Sequence, residues 1–389
     1  MSKALVCGVA MTAFGKLPGR GLRDLAVEAI DQAVADSGLT ASRIQRIYFG
    51  NAIAPTVLQQ DMIKGQVALR GHPLGHVPLI NVENACASGG SALLLAVEAV
   101  ASGKVDVALA VGAELMHHPD RSRAFNALRG STDVADIGEY VPGEISANSL
   151  LMDFYAGVAQ EYLANSDAEP SDFAAVAVKN RNHAMHNPNA QMRKPQTIED
   201  VLGGRMVVPP LTLAMCSPMT NGAAAAIVCS EKVAAAIGRC KIVVRSCQLA
   251  SGGGGAPVED ASGLAYDEAG VGPRDFDLIE LHDAAAPAEL LQYHEIGLCP
   301  DGEGFRLIRD GSTAFGGSIP VNVSGGLLSR GHALAATGLA QIHELVLQLR
   351  GQAGDRQVAN ARLAMAVNGG GWLDGTYALA LSTILEKQD

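Results

Sequence analysis

Two stretches of this 389-residue chain run through the same order of elements, and that internal repeat limits what it can fold into. INVENACASGGSALLLAVEAVASGKVDVALAVGAE (80–114) reads as strand, glycine-rich turn, helix, basic linker, strand. VNVSGGLLSRGHALAATGLAQIHELVLQLRGQAGDRQVANARLAMAVNGG (321–370) repeats the order with a longer turn. Upstream of each lies a second matching pair, SRIQRIYFGNAI (42–53) and PRDFDLIELHDA (273–284), a short linker before a strand that ends in a polar residue. Within both copies the strands are nearly continuous apolar runs, the pattern of a sheet covered by helices on both faces. Segments 21–39 and 339–350 carry apolar residues at helical spacing. The 44 glycines and an aromatic content of only 4% suit close packing of helix on sheet. A layered α/β fold with two similar halves is expected.

The stretch 115–205 breaks the pattern, being rich in His, Asn, Arg and Met and stopped by Pro119, Pro170, Pro188 and Pro195. It reads as an inserted loop domain. The first half then comprises 1–114 and 206–238, and the second half 239–389. MSKALVCGVAMTAFG reads as a first strand rather than a leader, and no run of about 18 apolar residues predicts a membrane span. A net charge of −11 argues against binding nucleic acid or an anionic membrane, which needs clustered Lys and Arg. Seven cysteines, an odd number without a CxxC pair, read as reduced thiols in the cytoplasm.

Cys86 lies between the strand LINV and a helix that begins near Ser88. The helix dipole and free N–H groups there favour thiolate, and the same N–H groups can hold an oxyanion. His332, in SGGLLSRGHALAATG, occupies the matching turn of the second copy, so a pseudo-twofold axis brings it to Cys86 as the base that activates the thiol. His282 ends the strand DLIELHD, where an α/β fold places groups that face a ligand, with Asp283 as the natural cap of the helix that follows. Gly369, Gly370 and Gly371 end another core strand, where backbone N–H groups can point at a carbonyl. His183 and His186 sit at i, i+3 without a third ligand, so no metal site is expected. Arg121, Arg123, Lys179, Arg181 and Lys194 are candidate contacts for the anionic part of a cofactor.

Together these segments resemble the thiolase family over nearly the whole chain. NACASGGSAL looks like the nucleophile segment, and LHDAAAPAELLQYHEIGLC like the HDxF segment of sterol-carrier-protein-type thiolases. SGGLLSRGHALAATGLAQIHELVLQLRG looks like the GHPxGATG segment, and SPMTNGAAAAIVCSE like SPxxDGAAA. The resemblance implies a layered α-β-α-β-α fold with the insertion covering the active site and binding coenzyme A. It implies Cys86 as the acylated nucleophile and His332 as its base. His282 is implied as an oxyanion donor, with the backbone around Gly369 and the N–H of Cys86 forming a second hole. Acyl-CoA and CoA are implied as substrates, with no permanently bound cofactor. A homodimer or dimer of dimers is also implied, and a small zinc-ribbon/OB-fold protein as a partner.

The sequence departs from that pattern where carbon–carbon bond chemistry needs a second cysteine, since Ala284 and Val367 occupy its two usual positions and neither transfers a proton. Ala333 and Ala335 replace the Pro and Gly of the histidine motif. Three readings follow. One is a thiolase that cleaves or forms a 3-ketoacyl-CoA, with the second proton transfer handled by a histidine, a water or a cysteine such as Cys299. Another is an acyltransferase that delivers the Cys86-bound group to a different acceptor. The last is a subunit of a complex whose main role is binding, dependent on the zinc-ribbon partner. Ala284 and Ala285 leave room for a bulky branched, alicyclic or aromatic acyl group.

Overall fold

The computed structural model describes residues 3–135, 137, 149–238 and 240–388. Its main strands are β1 (Ala4–Met11), β2 (Arg46–Gly50), β3 (Leu79–Val82), β4 (Val107–Glu114), β7 (Gly222–Ser230), β8 (Ile242–Ser251), β9 (Leu278–Glu280), β10 (Leu363–Gly370) and β11 (Leu379–Lys387). The short strands β5 (Met206–Val208) and β6 (Leu211–Thr212) pair separately. The main strands run β3-β2-β4-β7-β1-β8-β11-β10-β9. Only Leu5↔Val243 and Val6↔Ile242 join β1 to β8, so the order divides there into two halves.

The halves share one topology. β2 lies parallel to β3 and β4, and β7 antiparallel to β4 and β1. Correspondingly β9 is parallel to β10, and β11 is antiparallel to β10 and β8. The expected counterpart of β3 shrinks to a single parallel bridge, Ile279↔Val321. Asn322 takes φ 57° and Gly325 φ 100°, so the chain leaves the sheet after one residue.

The helices of ten residues or more among the described residues are α1 (Leu22–Ser37), α2 (Ser88–Ala101), α3 (Leu150–Ala164), α4 (Pro170–Ala184), α5 (Pro257–Ala269), α6 (Ala286–Glu295) and α7 (Thr337–Arg350). α1 covers the outer face of the first half and α5 that of the second, while α2 and α7 pack on each other between them. Strands β1 and β4 are buried along their whole length, as the apolar runs require. α3 and α4, from the segment expected to be an insertion, pack on α6 of the second half.

The two central turns approach more closely than side chains would permit. A Cβ placed on Gly112 would lie 1.9 Å from the Ala335 carbonyl oxygen, and one on Gly89 2.3 Å from it. Gly112→Ala is therefore expected to lower stability by about 2 kcal/mol or more, read from the denaturant midpoint. Gly157→Ala, at an exposed position of α3 with nothing within 4 Å, is expected to gain about 0.5–1 kcal/mol. Equal effects at the two positions would contradict the packing described.

Candidate active site

Cys86 sits in a single 3₁₀ turn, Ala85–Ala87, that feeds directly into α2. Ala85 adopts φ 48°, and Asn84 N–H donates to Ser88 Oγ, which in turn donates to Ala85 O. This tight turn presents the sulfur to a cavity of about 300 Å³. His282, His332 and Gly369–Gly371 line the same cavity, so the expected site residues converge from both halves. The sulfur and one ring nitrogen of each histidine lie within 4.8 Å of one another. Gly370 backs onto the nucleophile turn, where a Cβ would meet Asn84 O at 2.5 Å.

His332 is held by its neighbours in both position and protonation. Gly331, with φ 113°, lets the chain turn against Thr220, whose Oγ1 accepts from His332 N–H at 3.1 Å. Thr337 Oγ1 donates to Ala333 O, so the same oxygen accepts the Nδ1–H of His332 at 2.7 Å. That leaves Nε2 of His332 as a lone pair.

His282 lies two residues past the end of β9 rather than on it. Gln292 grips its backbone by accepting from N–H and donating to the carbonyl. Its Nδ1 lies 3.2 Å from Asn368 Nδ2. An amide nitrogen only donates, so Nδ1 accepts and Nε2 carries the hydrogen. The two rings thus hold opposite tautomers, with a lone pair at Nε2 of His332 and a hydrogen at Nε2 of His282. A metal ion needs lone pairs from both rings, so this arrangement suits proton transfer better than metal ligation.

Burial governs the charges. Cys86 was expected to be a favoured thiolate, but burial and then the Glu114 carboxylate push its thiol up to about 12, outweighing the helix terminus. Burial, then Arg330, pulls His332 down to about 3. His282 is held well below the usual histidine range by burial, His332 and Arg330. At rest all three groups are neutral. Glu114, raised to about 7 by burial, accepts from the N–H groups of Ala52, Ile53 and Ala335 and so ties the nucleophile half to the His332 turn.

Several other expectations change. Asp283 does not cap α6, whose N-cap is Ala285. Its carboxylate accepts instead from Leu327 and Leu328 N–H, at the short helix leading to His332. His183 uses both ring nitrogens, donating to Asn322 O and accepting from Phe315 N–H, and His186 is exposed, so they form no ligand pair. Lys179 is buried in an ion pair with Glu289 at 2.7 Å, and Arg181 is buried as well. Arg123 donates to Val57 O, and Lys194 does not line the cavity. Of the five cations expected to meet a cofactor, only Arg121 lines it, joined by exposed Lys16 and Arg205. Cys299 lies beside His294, off the cavity wall. The second thiol on that wall is Cys216, bridged to Ala285 next to Ala284, with its thiol donating to Thr212 O. The sequence offered no local signal for Cys216, since its position depends on pairing across about 70 residues.

The Cys86 turn and two histidine turns, drawn from both halves of a duplicated α/β sheet, meet at this one cavity. The thiolase N-terminal domain matches residues 4–201 and a thiolase C-terminal domain-like family residues 253–383. The chain belongs to the thiolase family and is an acyl-CoA acyltransferase. Benzoylsuccinyl-CoA thiolase subunit BbsB of Thauera aromatica is 38% identical, covering 95% of each chain. Acetyl-CoA acetyltransferase of Methanothermobacter thermautotrophicus is 35% identical, covering 97% of this chain and 99% of that one. Sterol carrier protein 2 of Rattus norvegicus is 34% identical, covering 95% and 70%. In structure, the Ltp2-ChsH2(DUF35) aldolase superposes with a TM-score of 0.78 at 25% identity, over 99% of this chain and 98% of that one.

The thiol shift has a direct readout. Alkylation of Cys86, followed by peptide mass, is expected to stay slow at pH 7–9 and to rise only toward a midpoint near about 12. A midpoint below 9 would overturn the burial argument.

Proposed function

We propose that this enzyme cleaves or forms a 3-ketoacyl-CoA through a thioester on Cys86, with His332 as the one proton carrier for both halves of the reaction. The opposite tautomers of His332 and His282 support this reading above all. In cleavage, the Cys86 thiol gives its proton to Nε2 of His332 as sulfur attacks the ketone. The tetrahedral oxyanion takes hydrogen bonds from the Cys86 N–H and the backbone around Gly369. The carbon–carbon bond then breaks, and the electron pair moves to an enolate whose oxygen accepts from Nε2–H of His282. His332 returns the proton to the α-carbon. In the second half the thiol of coenzyme A gives its proton to His332 and attacks the thioester, and the departing Cys86 sulfur takes that proton back.

Each half moves one proton out and one back, so the loss of thiols at 284 and 367 leaves the balance intact. Burial helps the return step, because an imidazolium in so dry a setting is a strong acid. Lys16, Arg121 and Arg205 place three exposed cations at an otherwise largely apolar cavity, a fit for the phosphates of coenzyme A outside and the acyl group within. The stretch 115–205 acts, on this reading, as the loop domain over the site. The aromatic side chains of Tyr155, Trp372 and Tyr377 line the cavity and favour a bulky or aromatic acyl group. The name of the Thauera relative points the same way.

Intact-protein mass after brief exposure to acyl-CoA and 3-ketoacyl-CoA thioesters tests the reading. An acyl adduct absent from Cys86→Ala and released by free coenzyme A is expected, with turnover in His332→Ala reduced at least about 10²-fold. Cys216→Ala is expected to stay within about tenfold of wild type; a loss of about 10²-fold or more would make Cys216 the second acid instead.

Assembly belongs to the same proposal. Met62, Ile63, Val67 and Ile80 are exposed around β3, the edge strand that leads into the nucleophile turn. They fit a homodimer interface at that edge. Ile80→Arg is expected to shift the mass measured by light scattering from dimer to monomer, and an unchanged mass would move the interface elsewhere. The DUF35 component named in the structural neighbour supports a zinc-ribbon/OB-fold partner for this chain as well. Seven free thiols fit a reducing compartment such as the cytoplasm.

A further inference from the structure

We infer that Asn368 is a positioning residue that sets which nitrogen of His282 carries the hydrogen, and so makes that ring a permanent donor rather than a second base. Asn368 lies near the end of β10 and is 3% exposed. Its Nδ2 is 3.2 Å from His282 Nδ1, 3.4 Å from Cys86 O and 3.5 Å from Gly369 O. The last two are carbonyls and can only accept, which identifies this end of the amide as the NH₂ group. His282 Nδ1 faces the same hydrogens and must accept as well.

The amide is clamped so that it cannot turn over. Its Oδ1 has no hydrogen-bond partner and rests against Gly90 of α2 and Gly338 of α7. A Cβ at those positions would lie 2.8 Å and 2.3 Å from it. Reversing the amide would set its oxygen against two carbonyl oxygens, Cys86 O and Gly369 O, and its NH₂ against two glycine Cα groups. Both central helices therefore hold the orientation, and one side chain links the nucleophile turn, the oxyanion histidine and the glycine strand.

An amide also neither gives nor takes a proton at neutral pH. His282 is cut off from any proton source behind it, whereas a carboxylate in the same place would draw the hydrogen to Nδ1 and turn a lone pair toward the substrate. The consequence for turnover rests on the thiolase reading given above. The state of the ring does not.

The test is ¹⁵N NMR of the histidine rings, with His282→Gln identifying the His282 signals. Wild type is expected to show hydrogen on Nε2, Asn368→Leu a mixture of the two tautomers, and Asn368→Asp hydrogen on Nδ1. In turnover, Asn368→Asp is expected to lose about 10²-fold in kcat with KM little changed, the loss of one oxyanion donor. Hydrogen on Nδ1 in wild type, or a ring unaltered in Asn368→Leu, would overturn the assignment, and neither needs the Asp variant to fold. If no thioester is turned over at all, the ring measurement still decides this proposal while the thiolase reading fails by itself.

Discussion

Everything at the centre of this molecule depends on one contact, the Ala335 carbonyl resting on the bare Cα atoms of Gly89 and Gly112. It fixes the distance between two turns that come from halves whose strands are joined by only two residue pairs. With a side chain at either glycine the His332 turn would be pushed away from α2 and from the sulfur of Cys86. Glu114 works in the same seam, taking hydrogen bonds from both sides of it. Duplication of the fold supplies the two turns, and missing side chains let them meet.

A site assembled this deep is dry, and dryness decides its chemistry. Charge is expensive there, so thiol and imidazoles rest neutral and the arrangement is written in hydrogens rather than in ions. The Thr337 hydroxyl and the Asn368 NH₂ differ in one respect that matters: the first can accept from a ring nitrogen, and the second only donates. That difference gives two identical side chains opposite roles. Behind them lie fully buried groups, Arg330 paired with Glu280 and Asp283 capping the helix before His332. They keep the turn rigid without touching the cavity.

The sequence was most legible where function and fold share a local pattern. Cys86 and His332 each lie in a glycine-flanked turn before a helix, and His282 follows a core strand, so their convergence on one cavity was legible from the repeat. The supporting groups were not legible, because their partners are distant in the chain. Asn368 carries no local signal in the sequence, because its contact with His282 spans 86 positions. Lys179 and Arg181 were expected to contact a cofactor because nothing nearby in sequence announces Glu289, 110 positions from Lys179, which neutralises the lysine. The thiolate expectation failed for a related reason: a helix terminus is visible in sequence, whereas the burial that overrides it belongs to the tertiary structure.

The raised thiol has a consequence outside catalysis. Peroxides attack thiolates, and a cysteine that is neutral and 7% exposed offers them little to react with. The same burial that keeps the Cys86 thiol neutral therefore also shields it from oxidation.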